Sequence, residues 1–399
     1  MQEKLKVGLF IDSFYPMVDG VIQVVDQYAT YLSEYCDVTV FTVKPRRKKK
    51  DEKVHNYKVV RSKIFQIPFV DYDLALPFMD RKYKKALKEA DLDVIHIHSP
   101  FTIGKTGVKY AKKHDIPLFC TMHSQYKKDF MRSTKSKILT KFLLGYAMKV
   151  FNKCDYQYSV NKHVADIYFN EYGAKTLPDV LPNGTEFTPV CDKETADRIV
   201  NEKFNIEKDT PVFLFVGRIN DIKNVFFTAK ALKIVKERGY SFKMMYVGTG
   251  QDEEKLKKLI VELGLTDDVI LTGGITDRDL LAKIYSRAKL MLFPSLYDAN
   301  SLVQIEAASQ RTPTVFLEGS ATSSTVTDGV NGYIAKNSLD DYAQKICDIL
   351  DDDKGYSIVK ENAFNDLYKT WREITLNVKQ MYLQKQQERN TNKEKKGEQ

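Results

Sequence analysis

Short apolar runs rich in valine, isoleucine, leucine and phenylalanine recur along the chain and alternate with stretches whose apolar positions repeat at helical spacing. Lys6–Ile11, Asp37–Val43, Asp93–His98, Pro117–Met122 and Tyr156–Val160 form one series, and Pro211–Val216, Phe242–Val247, Val269–Thr272, Lys289–Phe293 and Thr314–Phe316 form a second. Runs that stay apolar at successive positions are those of strands covered on both faces, the environment of a parallel sheet. Strand alternating with helix in this way predicts an α/β chain with two doubly wound sheets. Between the two series, Leu181-Pro-Asn-Gly184 gathers turn residues, which places the domain boundary there. The prediction is a first domain over 1–185, a second over 186–365, a helix around Trp371 over 366–383 that returns to the first domain, and a Gln/Lys/Glu-rich tail over 384–399 that is disordered. No short repeat suggests a solenoid.

Composition narrows the class. The chain has 399 residues, more than one hydrophobic core usually serves, and its 43% hydrophobic and 29% charged content is that of a globular protein. No apolar stretch is long enough to span a bilayer, and Met-Gln-Glu-Lys runs straight into a strand, so a cytosolic protein is expected. The five cysteines are scattered and form no Cys-x-x-Cys pair, which points to reduced thiols and to neither a zinc site nor a disulfide framework.

The polar candidates collect at the carboxyl ends of the predicted strands: Asp12, His98, His123, Arg218, Gly248, Gly273 and Ser295. Ligands of open α/β sheets bind there, and two such crests facing each other form one cleft. After the run ending at Val216, Gly217 and Arg218 are followed by Lys223, so a guanidinium fork and an ammonium stand where a diphosphate fits. A solvated surface pair is the plainer reading. Asp298 lies in the loop after the run ending at Phe293, and Glu306, separated from it by seven residues, lies in a helix that begins near Ser301. The amides of Ser301, Leu302 and Val303 offer an anion site at that helix start, and Glu306 can accept hydrogen bonds from sugar hydroxyls. A carboxylate that only complements the helix dipole is the alternative.

Together the Gly217-Arg218-x4-Lys223 and Asp298-x7-Glu306 segments resemble glycosyltransferase family 4, over most of the chain. The resemblance implies the GT-B fold, two Rossmann-like doubly wound domains facing a central cleft, and retaining transfer from a nucleotide sugar. It assigns Arg218 and Lys223 to the donor diphosphate, Glu306 to the ribose and Asp298 to the donor sugar, with Gly20, Gly217, Gly248, Gly273, Asn300, Ser301, Leu302 and Val303 completing the donor site. No cofactor and no metal are called for beyond the nucleotide sugar, expected to be UDP-linked. The family's first carboxylate is usually glutamate, one methylene longer than Asp298, and Asn224 and Ser301 stand where the family usually has glycine.

The Asp19-Gly20-Val21 turn resembles the diacylglycerol-glucosylating branch, and Gly20 at a helix start lets backbone approach a phosphate or sugar. His123, within Thr121-Met-His123, matches a family segment and is expected to contact the donor sugar; a buried structural histidine is the general alternative. Asp19, His98, His123 and Tyr126 are the expected acceptor contacts. A metal pair of His96 and His98 lacks a third ligand.

Net charge is +9, with much of the excess in the first half. Arg46, Arg47 and Lys48 follow one strand, and Lys135, Lys141 and Phe142 belong to an amphipathic, basic helical pattern that suits anionic lipid. The same apolar face suits packing within the first domain. No nucleic-acid motif accompanies the basic charge. The expectation is an enzyme peripheral at the cytoplasmic face of the cell membrane, moving a hexose onto diacylglycerol or its monoglycosylated form. A polyprenyl-linked or surface-polysaccharide acceptor and a non-catalytic partner of another glycosyltransferase are the alternatives.

Overall fold

The computed structural model describes residues 4–17, 19–45, 50–65 and 74–397. The chain divides into two compact units, one built from residues up to Asn183 together with those from Trp371 onward, the other from Gly184 to Thr370. In the first unit the strands run β1 (Lys6–Phe10), β2 (Asp37–Val43), β3 (Lys58–Ser62), β4 (Ile64–Phe65), β5 (Leu74–Ala75), β6 (Val94–Ile97), β7 (Leu118–Met122), β8 (Tyr156–Ser159) and β9 (Asp179–Val180). Seven of them form a parallel sheet in the order β3-β2-β1-β6-β7-β8-β9, while β4 and β5 pair antiparallel. The second unit has β10 (Val212–Val216), β11 (Lys243–Val247), β12 (Val269–Gly273), β13 (Leu290–Leu292), β14 (Thr314–Leu317) and β15 (Tyr333–Ala335), parallel in the order β12-β11-β10-β13-β14-β15.

The central strands are the apolar runs of the sequence: β10 is buried at every position, as are β6 and β7. Strands β3, β9 and β15 go beyond the predicted set, and all three lie at sheet edges. β3 is polar at Lys58 and Arg61, and β9 has two residues, both exposed. An edge strand is covered less fully than a central one, so β3 and β9 carry no continuous apolar run, whereas β15 is an apolar run of only three residues.

Each sheet winds outward from its first strand, returns beside it and winds the other way. The reversal falls between β1 and β6 in one unit and between β10 and β13 in the other. Crossover helices leave a crevice outside the carboxyl ends of those strand pairs.

The first unit is completed by the helix Trp371–Gly397. Trp371, Ile374, Val378 and Tyr382 are buried, with Trp371 edge-on to Tyr28 at 5.5 Å between ring centroids. Tyr382 Oη lies 2.5 Å from His96 Nδ1. The tail expected to be disordered from Gln384 is instead, as far as Gly397, the continuation of this helix. Arg389 holds it by donating to Asp115 Oδ1 at 2.8 Å and to Asp155 Oδ2 at 2.7 Å, and Lys385 pairs with Glu388 one turn on. Polar composition alone did not register these long-range partners.

Tyr382→Ala is expected to destabilise the first unit by about 3–5 kcal/mol, the range for deleting a buried aromatic. Arg389→Ala, which removes partly exposed ion pairs, is expected to stay within about 1 kcal/mol. Urea unfolding of the two variants checks the order.

Candidate functional site

In the second unit the polar candidates gather at the β10–β13 reversal. β10, β11 and β12 each end at or just before a glycine, and the three glycines lie side by side: Gly217 N–H donates to Val247 O at 3.0 Å and Gly248 N–H to Gly273 O at 2.9 Å. A Cβ on Gly248 would stand 1.9 Å from the Gly217 carbonyl oxygen, so no side chain fits there. Arg218 follows, exposed. Asn220 Oδ1 then accepts from Lys223 N–H at 3.1 Å and shapes the tight turn Asp221–Lys223.

Lys223 Nζ reaches Asp298 Oδ1 at 2.5 Å, with both side chains mostly buried, and stands 5.5 Å over the Phe293 ring. The structure thus brings Lys223 and Asp298, 75 residues apart in sequence, into one ion pair. Beyond Asp298, Asn300 is partly buried and Ser301 caps the helix Leu302–Ser309, accepting from Gln304 N–H at 3.2 Å. The first-turn amides of Leu302 and Val303 have no carbonyl within the helix to bond, which is the usual source of anion affinity at such an end.

Glu306 sits one turn further along and is already oriented. Tyr285 Oη donates to its Oε2 at 2.7 Å and Arg278 Nη2 to its Oε1 at 3.2 Å. Arg278 in turn pairs with Glu186 at 2.8 Å and lies 3.9 Å over the Phe187 ring. Burial and the adjacent Glu306 raise Tyr285 well above the usual phenol range, so it remains a donor. A carboxylate has about four acceptor sites, and these bonds leave capacity for ligand hydroxyls.

In the first unit the reversal between β1 and β6 holds a different chemistry. The partly buried Asp12 carboxylate accepts from Ser99 Oγ at 2.7 Å and Ile103 N–H at 2.7 Å. It thereby caps the helix Thr102–His114, whose own cap residue Phe101 supplies no side-chain bond. Asp12 is therefore structural. Asp19 Oδ1 accepts from Ile22 N–H at 2.8 Å and starts the helix Gly20–Leu32; Gly20 is exposed, with open space where a Cβ would be.

His98 Nδ1 and His123 Nε2 are 3.0 Å apart, so one ring donates and the other accepts. His98 is only 1% exposed and stacks on His96 at 4.3 Å between centroids. That position corrects its expected contact with an acceptor: His98 lies behind His123, within the interior. Tyr126 is buried too, stacked on Phe130. Burial drives His96 and His123 down to about 3, and burial with its two histidine neighbours drives His98 well below 6.5. All three rings are neutral near pH 7. Among the described residues no group of three or more His, Cys, Asp or Glu is placed to hold a metal ion.

The helix Lys137–Phe151 divides in two. Its C-terminal half buries Ala147, Met148, Val150 and Phe151, whereas Ile138 and Phe142 are 86% and 69% exposed, beside exposed Lys135, Lys137 and Lys141. Arg46, Arg47 and Lys48 lie outside the described residues.

Two family models match the chain in succession: Glycosyltransferase Family 4 over residues 18–188 and Glycosyl transferases group 1 over residues 197–366. The chain belongs to the family 4 glycosyltransferases. An alpha-monoglucosyldiacylglycerol synthase from Acholeplasma laidlawii is 25% identical over 339 residues, covering 82% of this chain and 84% of the relative. Among solved structures, a sucrose-phosphate synthase from Thermosynechococcus elongatus superposes with a TM-score of 0.78 at 20% identity, covering 96% and 99% of the two chains. HepE from Anabaena, in complex with UDP and glucose, superposes with a TM-score of 0.72 at 16% identity, covering 94% and 99%. The fold is GT-B.

As a glycosyltransferase the chain departs from the family pattern in ways the structure accommodates. Asn224 has φ 61° and ψ 33°, a left-handed conformation that asparagine adopts more readily than most residues, and Ser301 becomes a helix cap. Arg278, Tyr285 and Glu186, which orient Glu306, escaped the sequence reading because no local motif ties them to it.

The neutral histidines make stability depend on pH. The unfolded chain binds protons on them below about pH 6.5 while the folded chain does not until far lower pH, so stability falls as pH drops through 6.5. The slope reaches about 1.4 kcal/mol per pH unit for each histidine. Asp12, raised by burial, acts in the opposite sense, so a single substitution isolates the histidine contribution. Urea midpoints between pH 7.5 and 5 are expected to fall less steeply in His98→Gln than in the unsubstituted protein.

Proposed function

We propose that this glycosyltransferase moves a hexose, with retention of anomeric configuration, from a UDP-sugar to diacylglycerol or a monoglycosyl-diacylglycerol at the cytoplasmic face of the cell membrane. Arg218, Lys223 and the amides opening the Leu302 helix receive the departing diphosphate. Such fixed charges and dipoles, aimed at developing negative charge, supply large rate enhancements. Glu306 takes the ribose hydroxyls and Asp298 the donor sugar. Divalent metal has no assigned part, because the two cations and the helix end answer the diphosphate charge.

The observation that carries the lipid reading is the exposed first half of the helix Lys137–Phe151. Ile138, Leu139 and Phe142 are exposed large apolar side chains among lysines, the pattern of a helix that lies in a membrane interface. None of the helices among the described residues is long and apolar enough to cross a membrane, so attachment rests on such surfaces. The name of the Acholeplasma relative supports a glycerolipid acceptor.

Purified protein given a panel of UDP-sugars with anionic vesicles containing diacylglycerol or its monoglycosylated form is expected to yield a glycolipid by mass spectrometry. Arg218→Ala and Lys223→Ala are expected to lower its rate by about a hundredfold or more. Binding of a UDP-sugar without glycolipid formation moves the acceptor to a polyprenyl-linked or surface-polysaccharide precursor. Phe142→Glu is expected to weaken vesicle binding by about tenfold or more, since one large apolar side chain no longer leaves water. Co-sedimentation measures it, and added salt weakens binding of both proteins.

A further inference from the structure

The turn that carries Lys223 and the loop that carries Asp298 leave adjacent strands, β10 and β13. They are joined by more than their ion pair. Asn224 Nδ2 donates to Pro294 O at 3.1 Å, and Ser295 Oγ donates to Ile222 O at 3.3 Å. Ser295 is fully buried and also accepts from Tyr297 N–H at 3.3 Å, which shapes the approach to Asp298. Asn224 thus reaches the second loop from the position directly after Lys223, at the start of the helix Val225–Glu237.

Its backbone explains why this side chain can be there. At φ 61° most L residues are strained, glycine is not, and asparagine is among the best tolerated of the rest. Glycine would supply the same turn with no group to reach Pro294. Asparagine supplies the turn and a cross-loop hydrogen bond together.

We propose that Asn224 is a positioning residue, a brace that holds the Lys223 turn against the Asp298 loop so that the Lys223 ammonium is set for the donor diphosphate before the donor arrives. The inference rests on the donor reading given above. Without the brace the lysine retains its charge, but its turn samples a wider range against the neighbouring loop, and fixing it on binding opposes affinity. Asp298 contributes a counter-ion that keeps the ammonium in place within this mostly buried setting.

The test is a double-mutant cycle on UDP affinity, measured calorimetrically with the full chain, together with the thermal midpoint of each variant. Asn224→Gly keeps the left-handed turn and removes only the brace. It is expected to weaken UDP binding about fivefold, the size of one ordinary hydrogen bond, and to raise KM for UDP-glucose more than it lowers kcat. In a Lys223→Ala background the same change is expected to have no further effect on UDP affinity, because the brace acts through the lysine. Ser295→Ala, which cuts the second cross-loop bond, is expected to move affinity in the same direction, and provides the same reading if Asn224→Gly fails to fold. Unchanged UDP affinity in Asn224→Gly, or an equal loss with and without Lys223, overturns the brace. Failure of the unsubstituted protein to bind any of UDP, GDP and ADP overturns the donor reading, and the brace with it.

Discussion

A parallel sheet must return its chain across one face or the other after every strand, and each return covers the ground above the strand ends it joins. Where the winding reverses, two neighbouring strands send their crossovers to opposite faces, and the ends between them stay uncovered. Both sheets here have one such gap. Everything chemically distinctive in the second unit lies around its own: Arg218 and Lys223 after β10, Asp298 and the Leu302 helix after β13. The glycines closing β10, β11 and β12 belong to the same constraint, since their backbones come close enough that a Cβ on Gly248 meets the Gly217 carbonyl.

The charges around that gap are paired before any ligand is considered. Lys223 rests on Asp298, and Glu306 is held by Arg278 and Tyr285. Partly buried ions lose much of their hydration, and a partner at hydrogen-bond distance offsets that loss. On the donor reading proposed above, such a site meets an incoming polyanion by exchanging partners among groups already in place, rather than by gathering mobile side chains from solvent. The first unit follows another rule. Its gap contains histidines kept neutral by burial and an aspartate consumed in capping a helix, so it presents hydrogen-bonding surface with little fixed charge.

How much of this could be read from sequence depended on how local each signal was. Strands covered on both faces announce themselves as unbroken apolar runs, so β1, β2, β6, β7, β8 and all but the last strand of the second sheet were legible, and with them the GT-B fold. The edge strands β3 and β9 were not, since polar or exposed positions interrupt the run, and neither was β15, an apolar run of only three residues. Gly217, Arg218 and Lys223 could be placed on one loop, and Glu306 on one helix, because their spacing is local. The pairing of Lys223 with Asp298, the orientation of Glu306 by Arg278, and the place of His98 behind His123 depend on separate segments meeting in space, which no spacing rule encodes. The helix Lys137–Phe151 marks the boundary between the two cases: its amphipathic pattern was plain, but only the structure separates the half that packs from the half that faces out.

The first unit is discontinuous in sequence, and this bears on how the chain matures during synthesis. Its sheet is made early, yet Trp371 and Tyr382, which lie against Tyr28 and His96 respectively, emerge from the ribosome after the whole of the second unit. The second unit, contiguous from Gly184 to Thr370, can therefore close its core while the first still exposes the surface awaiting the final helix. The earlier-made half of this protein finishes last, and until then its incomplete core is the part most in need of protection from aggregation.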